Sequence, residues 1–129
     1  LAIIKKITTE LGYDIDIIEC DTLREKNGLA MSSRNELLPE KTKKECGIIF
    51  SSLMEIQKQY PFQTVEQLKA HTKEKIEKTG TFAVEYIELV HTSNLSLIKG
   101  KVPIGIDITV CTAVKVGKIR LIDNIQFIS

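Results

Sequence analysis

Ile106-Asp107-Ile108-Thr109-Val110-Cys111-Thr112-Ala113-Val114-Lys115-Val116, then Gly117-Lys118, then Ile119-Arg120-Leu121-Ile122-Asp123-Asn124-Ile125-Gln126-Phe127-Ile128: this stretch decides the fold class. Two runs dense in β-branched residues flank a short turn that carries a glycine, and this pattern predicts a β-hairpin. Outward from it, a loop through Asn94, Gly100 and Pro103 leads back to Phe82–Val90, whose β-branched and aromatic content again predicts a strand. In that strand Ala83, Ile87 and Leu89 are expected on one side, with Phe82, Val84 and Tyr86 on the other. The three strands are expected to form one small antiparallel sheet.

Further back the period changes from two to about 3.6 residues. Pro39 suits an early helical position, and Cys46, Ile49, Phe50, Leu53, Ile56 and Tyr60 recur at intervals of three and four, which predicts one long amphipathic helix ending before Pro61. Lys41, Lys43 and Lys44 on its first turns are expected to form a solvated face. Thr64 with Gln67 makes a capping box that opens a second helix, with Val65, Leu68, Thr72 and Ile76 on one face and a stop near Gly80. Two helices across one face of a three-stranded antiparallel sheet define a small α+β domain.

The first residues read differently. Ile4, Ile7 and Leu11, widened by Ala2 and Ile3 and stopped by Gly12, predict a short helix. Ile15, Ile17 and Ile18, ending near Cys20, predict a buried strand. One parallel strand cannot make a sheet, so this helix-strand piece reads as the remnant of an α/β unit whose partners lie elsewhere. Its apolar faces should then be exposed in this chain, favouring self-association or local disorder. The expected division is residues 1–30 as the tail of a nucleotide-binding α/β domain and 31–129 as a second domain.

At that division stands Arg24-Glu25-Lys26-Asn27-Gly28-Leu29-Ala30-Met31-Ser32-Ser33-Arg34-Asn35. Asn27-Gly28 predicts a turn, since both residues tolerate positive φ. Two hydroxyls and a guanidinium follow, directly ahead of a predicted helix. Backbone N–H groups at a helix start, serine hydroxyls and an arginine fork all donate hydrogen bonds, so the cluster suits an anion such as phosphate. The same residues also suit a plain structural role, with Ser32 or Ser33 capping the helix and Arg34 solvated. Spacing alone leaves both readings open.

Composition narrows the classes. A formal net charge of +1 over 129 residues offers no broad basic field, which argues against nucleic acid or an anionic membrane as partner. No apolar run approaches the roughly 20 residues that span a bilayer. The start, Leu1-Ala2-Ile3-Ile4-Lys5-Lys6, reads as an amphipathic helix rather than a signal peptide, and the absent initiator methionine suggests that the natural start lies elsewhere. Cys20, Cys46 and Cys111 lack metal-ligand spacing and are expected as buried free thiols in a reducing cytoplasm. His71 and His91 lie far apart and read as structural or surface residues; no metal site is expected.

Arg24-Glu25, the run Gly28 to Asn35 and Leu38 resemble the signature of the pantothenate synthetase family, the pantoate–β-alanine ligases. Met31-Ser32-Ser33-Arg34 is similar to the Lys-Met-Ser-Lys-Ser signature that holds ATP phosphates in nucleotidyltransferases and class I tRNA synthetases. Gly117 followed by Arg120-Leu121-Ile122-Asp123-Asn124 resembles a second family motif. The likeness covers nearly the whole chain, but only the carboxy-terminal portion of the family's sequence. It implies an ATP-dependent ligation through a pantoyl adenylate, releasing AMP and pyrophosphate, with Mg2+ accompanying ATP. It also implies a lid domain, a cytoplasmic enzyme and a homodimer at full length.

By the same resemblance Leu23 and Met31 contact the adenine, largely through backbone groups, and Ser32, Ser33 and Arg34 hold phosphates. Arg24 and Asn35 shape the loop, and Arg120, Asp123 and Asn124 support the sheet, with direct substrate contact as the alternative for these three. No catalytic residue is assigned. Asn27 departs from the family's usual aspartate, a change the turn tolerates. The family's amino-terminal half carries a histidine-containing phosphate loop, a lysine and an aspartate for the nucleotide, and glutamines that grip pantoate. None of these is expected in this chain, which alone should be inactive. The alternative is a stand-alone adenine-nucleotide-binding or interaction domain without catalysis, or a lid that binds nothing by itself.

Overall fold

The computed structural model describes residues 1–129. Strands β2 (Asp107–Val116) and β3 (Ile119–Ile128) pair antiparallel in unbroken register, from Val116 opposite Ile119 to Asp107 opposite Ile128. The two-residue turn between them needs positive φ, and Gly117 supplies it at +60°. Strand β1 (Phe82–His91) pairs with the other side of β2, giving the sheet order β1-β2-β3. This is the three-stranded antiparallel sheet that the hairpin pattern predicts.

One sequence expectation fails inside β1. Val84 pairs with Val114 and Tyr86 with Ala113, so Glu85 is the extra residue of a β-bulge. The bulge resets the alternation. Phe82 is buried with Ile87 and Leu89, and Val84 packs beside them, whereas Ala83 is exposed. A period of two holds on either side of Glu85 but not across it.

Helix α4 (Val65–Glu77) starts on the predicted capping box, in which the Thr64 hydroxyl accepts from the Gln67 N–H and the Gln67 side chain accepts from the Thr64 N–H. Val65, Leu68, Thr72 and Ile76 form its buried face, as their spacing predicts. The single long helix expected before it is instead two, α2 (Glu40–Glu45) and α3 (Gly47–Gln59), broken at Cys46. The cause lies in the loop at Asn27. Its Nδ2 donates to the carbonyls of Lys43 and Lys44 at 3.0 and 3.1 Å, ending α2 as a cap would. Gly47 then passes so close that a Cβ there would lie 2.5 Å from the Asn27 carbonyl oxygen. Lys43 is likewise not a merely solvated residue, because its ammonium lies 3.5 Å from Glu25 and 3.3 Å from Glu36.

Helix α4 packs over β1 and α3 over β3, so both cover one face of the sheet. Leu53 and Ile56 of α3 and Leu68 of α4 meet Leu89, Ile108 and Val110 in one apolar cluster; Leu29, Cys46, Ile49, Ile76 and Val114 belong to a second. Each such side chain contributes about 1.5–3 kcal/mol on burial. The core therefore reaches from the helices to Leu29, inside the loop that carries the first motif.

The first helix forms as expected, as α1 (Ala2–Glu10), with Gly12 at φ +65° just beyond it. It buries only Thr8, and Ile3, Ile4, Ile7 and Leu11 face solvent. The strand predicted at Ile15–Cys20 is not formed. No neighbouring strand offers it a ladder, and Ile15 and Ile18 are 62% and 83% exposed. Cys20 is accordingly exposed rather than buried, while Cys46 is buried and Cys111 half-buried. No helix is long and apolar enough to cross a membrane.

Candidate functional site

Residues Leu23 to Met31 form a tight double-backed loop. The Met31 N–H donates to the Leu23 carbonyl at 2.9 Å, Arg24 bridges Ala30, and the Glu25 N–H donates to the Leu29 carbonyl at 2.8 Å. The tip is closed by the Gly28 N–H on the Glu25 carbonyl, with Gly28 at φ +89°. A Cβ on Gly28 would meet the Phe50 ring at 2.5 Å, so this position needs glycine both for its backbone and for close approach.

Arg24 locks the loop to the sheet. Its Nη1 donates to Asp123 Oδ2 at 2.8 Å and to the Gly28 carbonyl at 3.0 Å; its Nη2 donates to Asp123 Oδ1 at 3.0 Å and to the Asn124 carbonyl at 3.1 Å. The guanidinium also lies over the Phe50 ring, 3.9 Å from its centroid. The Asp123 side chain is only 4% exposed, and its Oδ1 accepts the Asn124 N–H as well. A bidentate, charge-assisted pair of this kind fixes direction as well as distance. The two motifs, far apart in sequence, are thus one structure.

Beyond the loop the chain turns into a five-residue 3-10 helix, Ser33–Leu37, and not the α-helix expected there. Ser32 Oγ accepts the Arg34 N–H at 3.2 Å and keeps its own O–H free to donate. Asn35 is fully buried, with Nδ2 on the Ala30 carbonyl at 3.0 Å, and its Oδ1 has no partner. With so short a helix, backbone N–H groups and a macrodipole add little for an anion. The hydroxyls and guanidinia have to serve instead.

A cavity of about 260 Å³ lies where the motifs meet, lined among others by Met31, Ser32, Arg34, Asn35, Arg120 and Asn124. Arg34 is exposed there, and its guanidinium enters no ion pair of the chain. The Arg120 Nε–H donates to Glu85, whose other oxygen lies 3.0 Å from Lys115. These two cations hold the Glu85 carboxyl below its ordinary range, and Glu85 in turn raises the Arg120 pKa. A cavity presenting hydroxyls, two guanidinia and no free carboxylate has a lining whose chemistry suits an anion.

The sequence model of the family described as Pantoate-beta-alanine ligase matches residues 1–126. The chain belongs to this family. The ligase relatives include a pantothenate synthetase of Azobacteroides pseudotrichonymphae genomovar. CFP2, 39% identical, with 98% of this chain and 45% of that protein covered. Another, from Caldicellulosiruptor bescii, is 36% identical over 97% of this chain and 44% of its own length. The crystal structure of pantothenate synthetase from Thermus thermophilus superposes with a TM-score of 0.81 at 26% identity, covering 96% of this chain and 44% of that one. The chain therefore spans about 45% of the curated relative it matches at 39% identity.

Of the residues singled out on the ligase signature, Met31, Ser32, Arg34, Asn35, Arg120, Asp123 and Asn124 all line the one cavity. Leu23 and Ser33 are exposed beside it, and Arg24 sits behind it against Phe50. Sequence reasoning missed Glu85 and Lys115 around Arg120, Phe50 beneath Arg24 and the Lys43 bridge to Glu25. Glu85 is the extra residue of the bulge, and no local pattern announces a bulge. The Mg2+ expected to accompany ATP finds no ligand set among these residues: the one carboxylate lining the cavity, Asp123, has both oxygens hydrogen-bonded, and no three acidic, His or Cys side chains cluster anywhere in the chain.

Proposed function

We propose that this chain supplies the lid and the phosphate-holding loop of an ATP-dependent pantoate–β-alanine ligase. The observation that carries this reading is the convergence of both signature motifs on one anion-suited cavity, in a chain that matches the family over residues 1–126. In the proposed reaction a pantoate carboxylate oxygen attacks the α-phosphorus of ATP, expelling pyrophosphate and forming the pantoyl adenylate. The β-alanine amine then attacks the acyl carbon, AMP leaves, and the amide of pantothenate remains. Neither step needs much proton transfer from the protein, so positioning and charge neutralisation carry most of the catalysis.

In this reading the Ser32 and Ser33 hydroxyls and the Arg34 fork donate to phosphate oxygens. Leu23 and Met31 border the adenine. Because the Met31 N–H is already spent on the Leu23 carbonyl, the groups left for the base are the Leu23 N–H and the Met31 carbonyl. Arg24, Asn35, Asp123 and Asn124 hold this surface in place without touching substrate. ATP enters as its magnesium complex, and no residue of this cavity is assigned to the ion. A cytoplasmic, homodimeric full-length ligase belongs to the same proposal.

The exposed apolar faces of α1 and of Tyr13–Ile18 support assigning the first residues to a separate nucleotide-binding domain. The Arg24 clamp supports a boundary ahead of Leu23 rather than near residue 30, since Arg24–Ala30 are tied to β3, α2 and α3. Phosphate contacts at the junction would then draw the lid closed and keep water from the acyl adenylate.

The test is AMP formation from ATP, pantoate and β-alanine, together with the affinity for magnesium-ATP. The chain alone should turn over at background, and Arg34→Ala should weaken nucleotide binding by about tenfold or more. Robust turnover by the chain alone would refute the need for a further domain. An Arg34→Ala chain that binds magnesium-ATP as tightly as the parent would refute the phosphate role of the loop.

A further inference from the structure

The second motif is expected to support the sheet before it touches substrate, and for Asp123 and Asn124 the hydrogen bonds fit the supporting role. Arg120 is different. Cross-strand pairing sets it opposite Lys115 on the face of the sheet away from the helices, at the β3 edge that lines the Ser32–Arg34 cavity. Glu85, the bulge residue of β1, sets its carboxylate over that pair of cations, and Tyr86 lies beside Arg120. Glu85 takes only the Nε–H of Arg120; the two Nη groups donate to no carboxylate or carbonyl in the chain. A guanidinium anchored through Nε presents its forked edge ready oriented, and that edge matches two oxygens of a phosphate.

Charge counting points the same way. Arg24 and Asp123 cancel each other behind the cavity. Glu85 faces two cations, Lys115 and Arg120, and cancels one. Arg34 is uncompensated. The cavity lining itself thus carries the full charge of Arg34 and the part of the Arg120 charge that Glu85, shared with Lys115, does not offset, which suits a ligand carrying several negative charges close together.

We propose that Arg120 is a second polyphosphate-contacting residue of this cavity, aimed by Glu85, so that both motifs grip the same phosphate chain. This rests on the phosphate reading given to Ser32–Arg34 and adds a contact from β3 to it. Glu85 is then a positioning residue.

Inorganic tripolyphosphate titrated into the 129-residue chain tests this, with the arginine Nε–Hε resonances followed by 15N NMR. The Arg34 and Arg120 signals should both move, with one shared midpoint. Arg120→Gln should weaken binding by roughly three- to tenfold, a modest factor because the side chain is half exposed. Lys115→Gln, which removes the same charge from a side chain outside the cavity lining, should change it by less than about twofold. If Arg34 responds while Arg120 stays still, or if Lys115→Gln costs as much as Arg120→Gln, the contact is refuted and the first motif's role stands. If neither arginine responds at tens of millimolar, the phosphate reading fails and this inference with it.

Discussion

Replacing Asp123 by alanine should unfold the chain at a markedly lower temperature, because it strands a guanidinium that the fold has nearly enclosed. The Arg24 side chain is 18% exposed and Asp123 4%. Two of the four hydrogen bonds of Arg24 end on Asp123, at 2.8 and 3.0 Å. Breaking a buried pair by removing one partner costs about 3–5 kcal/mol. Here the lower end applies, since the Gly28 and Asn124 carbonyls remain as acceptors and water reaches the exposed part of Arg24. Against a total stability of about 5–15 kcal/mol this is a large fraction. At roughly 3–5 °C per kcal/mol for a chain of this size, the midpoint should fall by about 10–15 °C. Far-UV circular dichroism during heating and in urea reads it directly. The paired change Arg24→Met with Asp123→Leu should recover much of the loss, since two apolar groups need no partners. A fall of less than about 3 °C for Asp123→Ala, or a double-mutant coupling below about 0.5 kcal/mol, would show that the motifs do not depend on this pair.

Three further outcomes follow from the same geometry. Gly28→Ala should destabilise by about 1–3 kcal/mol in urea titration, because its Cβ meets Phe50 at 2.5 Å in a backbone conformation that side chains avoid; wild-type stability would contradict the close approach. With a thiol reagent near pH 8, Cys20 should react first and Cys111 slowly. Cys46, whose thiol burial pushes up to about 11, should stay protected until urea is added, and equal rates at Cys20 and Cys46 would overturn this. The carboxyls of Glu66 and Glu85 lie below their ordinary 4.5, Glu66 chiefly through the Gly100 N–H and Glu85 chiefly through Arg120. Between the lowered values and 4.5 the unfolded chain binds more protons, so this stability is fully present above about pH 5 and lost on acidification. Glu66→Gln should flatten the acid limb of midpoint against pH, and an unchanged limb would count against that contact.

Where the sequence could be read and where it could not divides along a physical line. The hairpin, the capping box and the buried face of α4 are set by neighbours within a few residues, and each is where local pattern puts it. The break at Cys46 is not local. A pattern continuous from Cys46 to Tyr60 still describes the buried side of α3, but the carbonyls that would carry the helix across Cys46 are taken by Asn27, a residue of another segment. The Ile15–Cys20 strand failed for a related reason: its composition is right, but a strand exists only beside a partner, and the sheet of this chain ends at β1 and β3.

The site shows the same division more sharply. Its donors, Ser32, Ser33 and Arg34, were legible as a run because adjacent residues of one chemistry stand out. Their orientation was not. It depends on a guanidinium stacked on a ring of α3 and paired with a carboxylate of β3, contacts that each span a large part of the chain. The β-bulge completes this argument. A single extra residue at Glu85 breaks the alternation that sequence reading relies on, and the same residue supplies the carboxylate that orients Arg120. Where the sheet departs from a strict period of two, it does so at the residue that holds Arg120, which lines the anion-suited cavity.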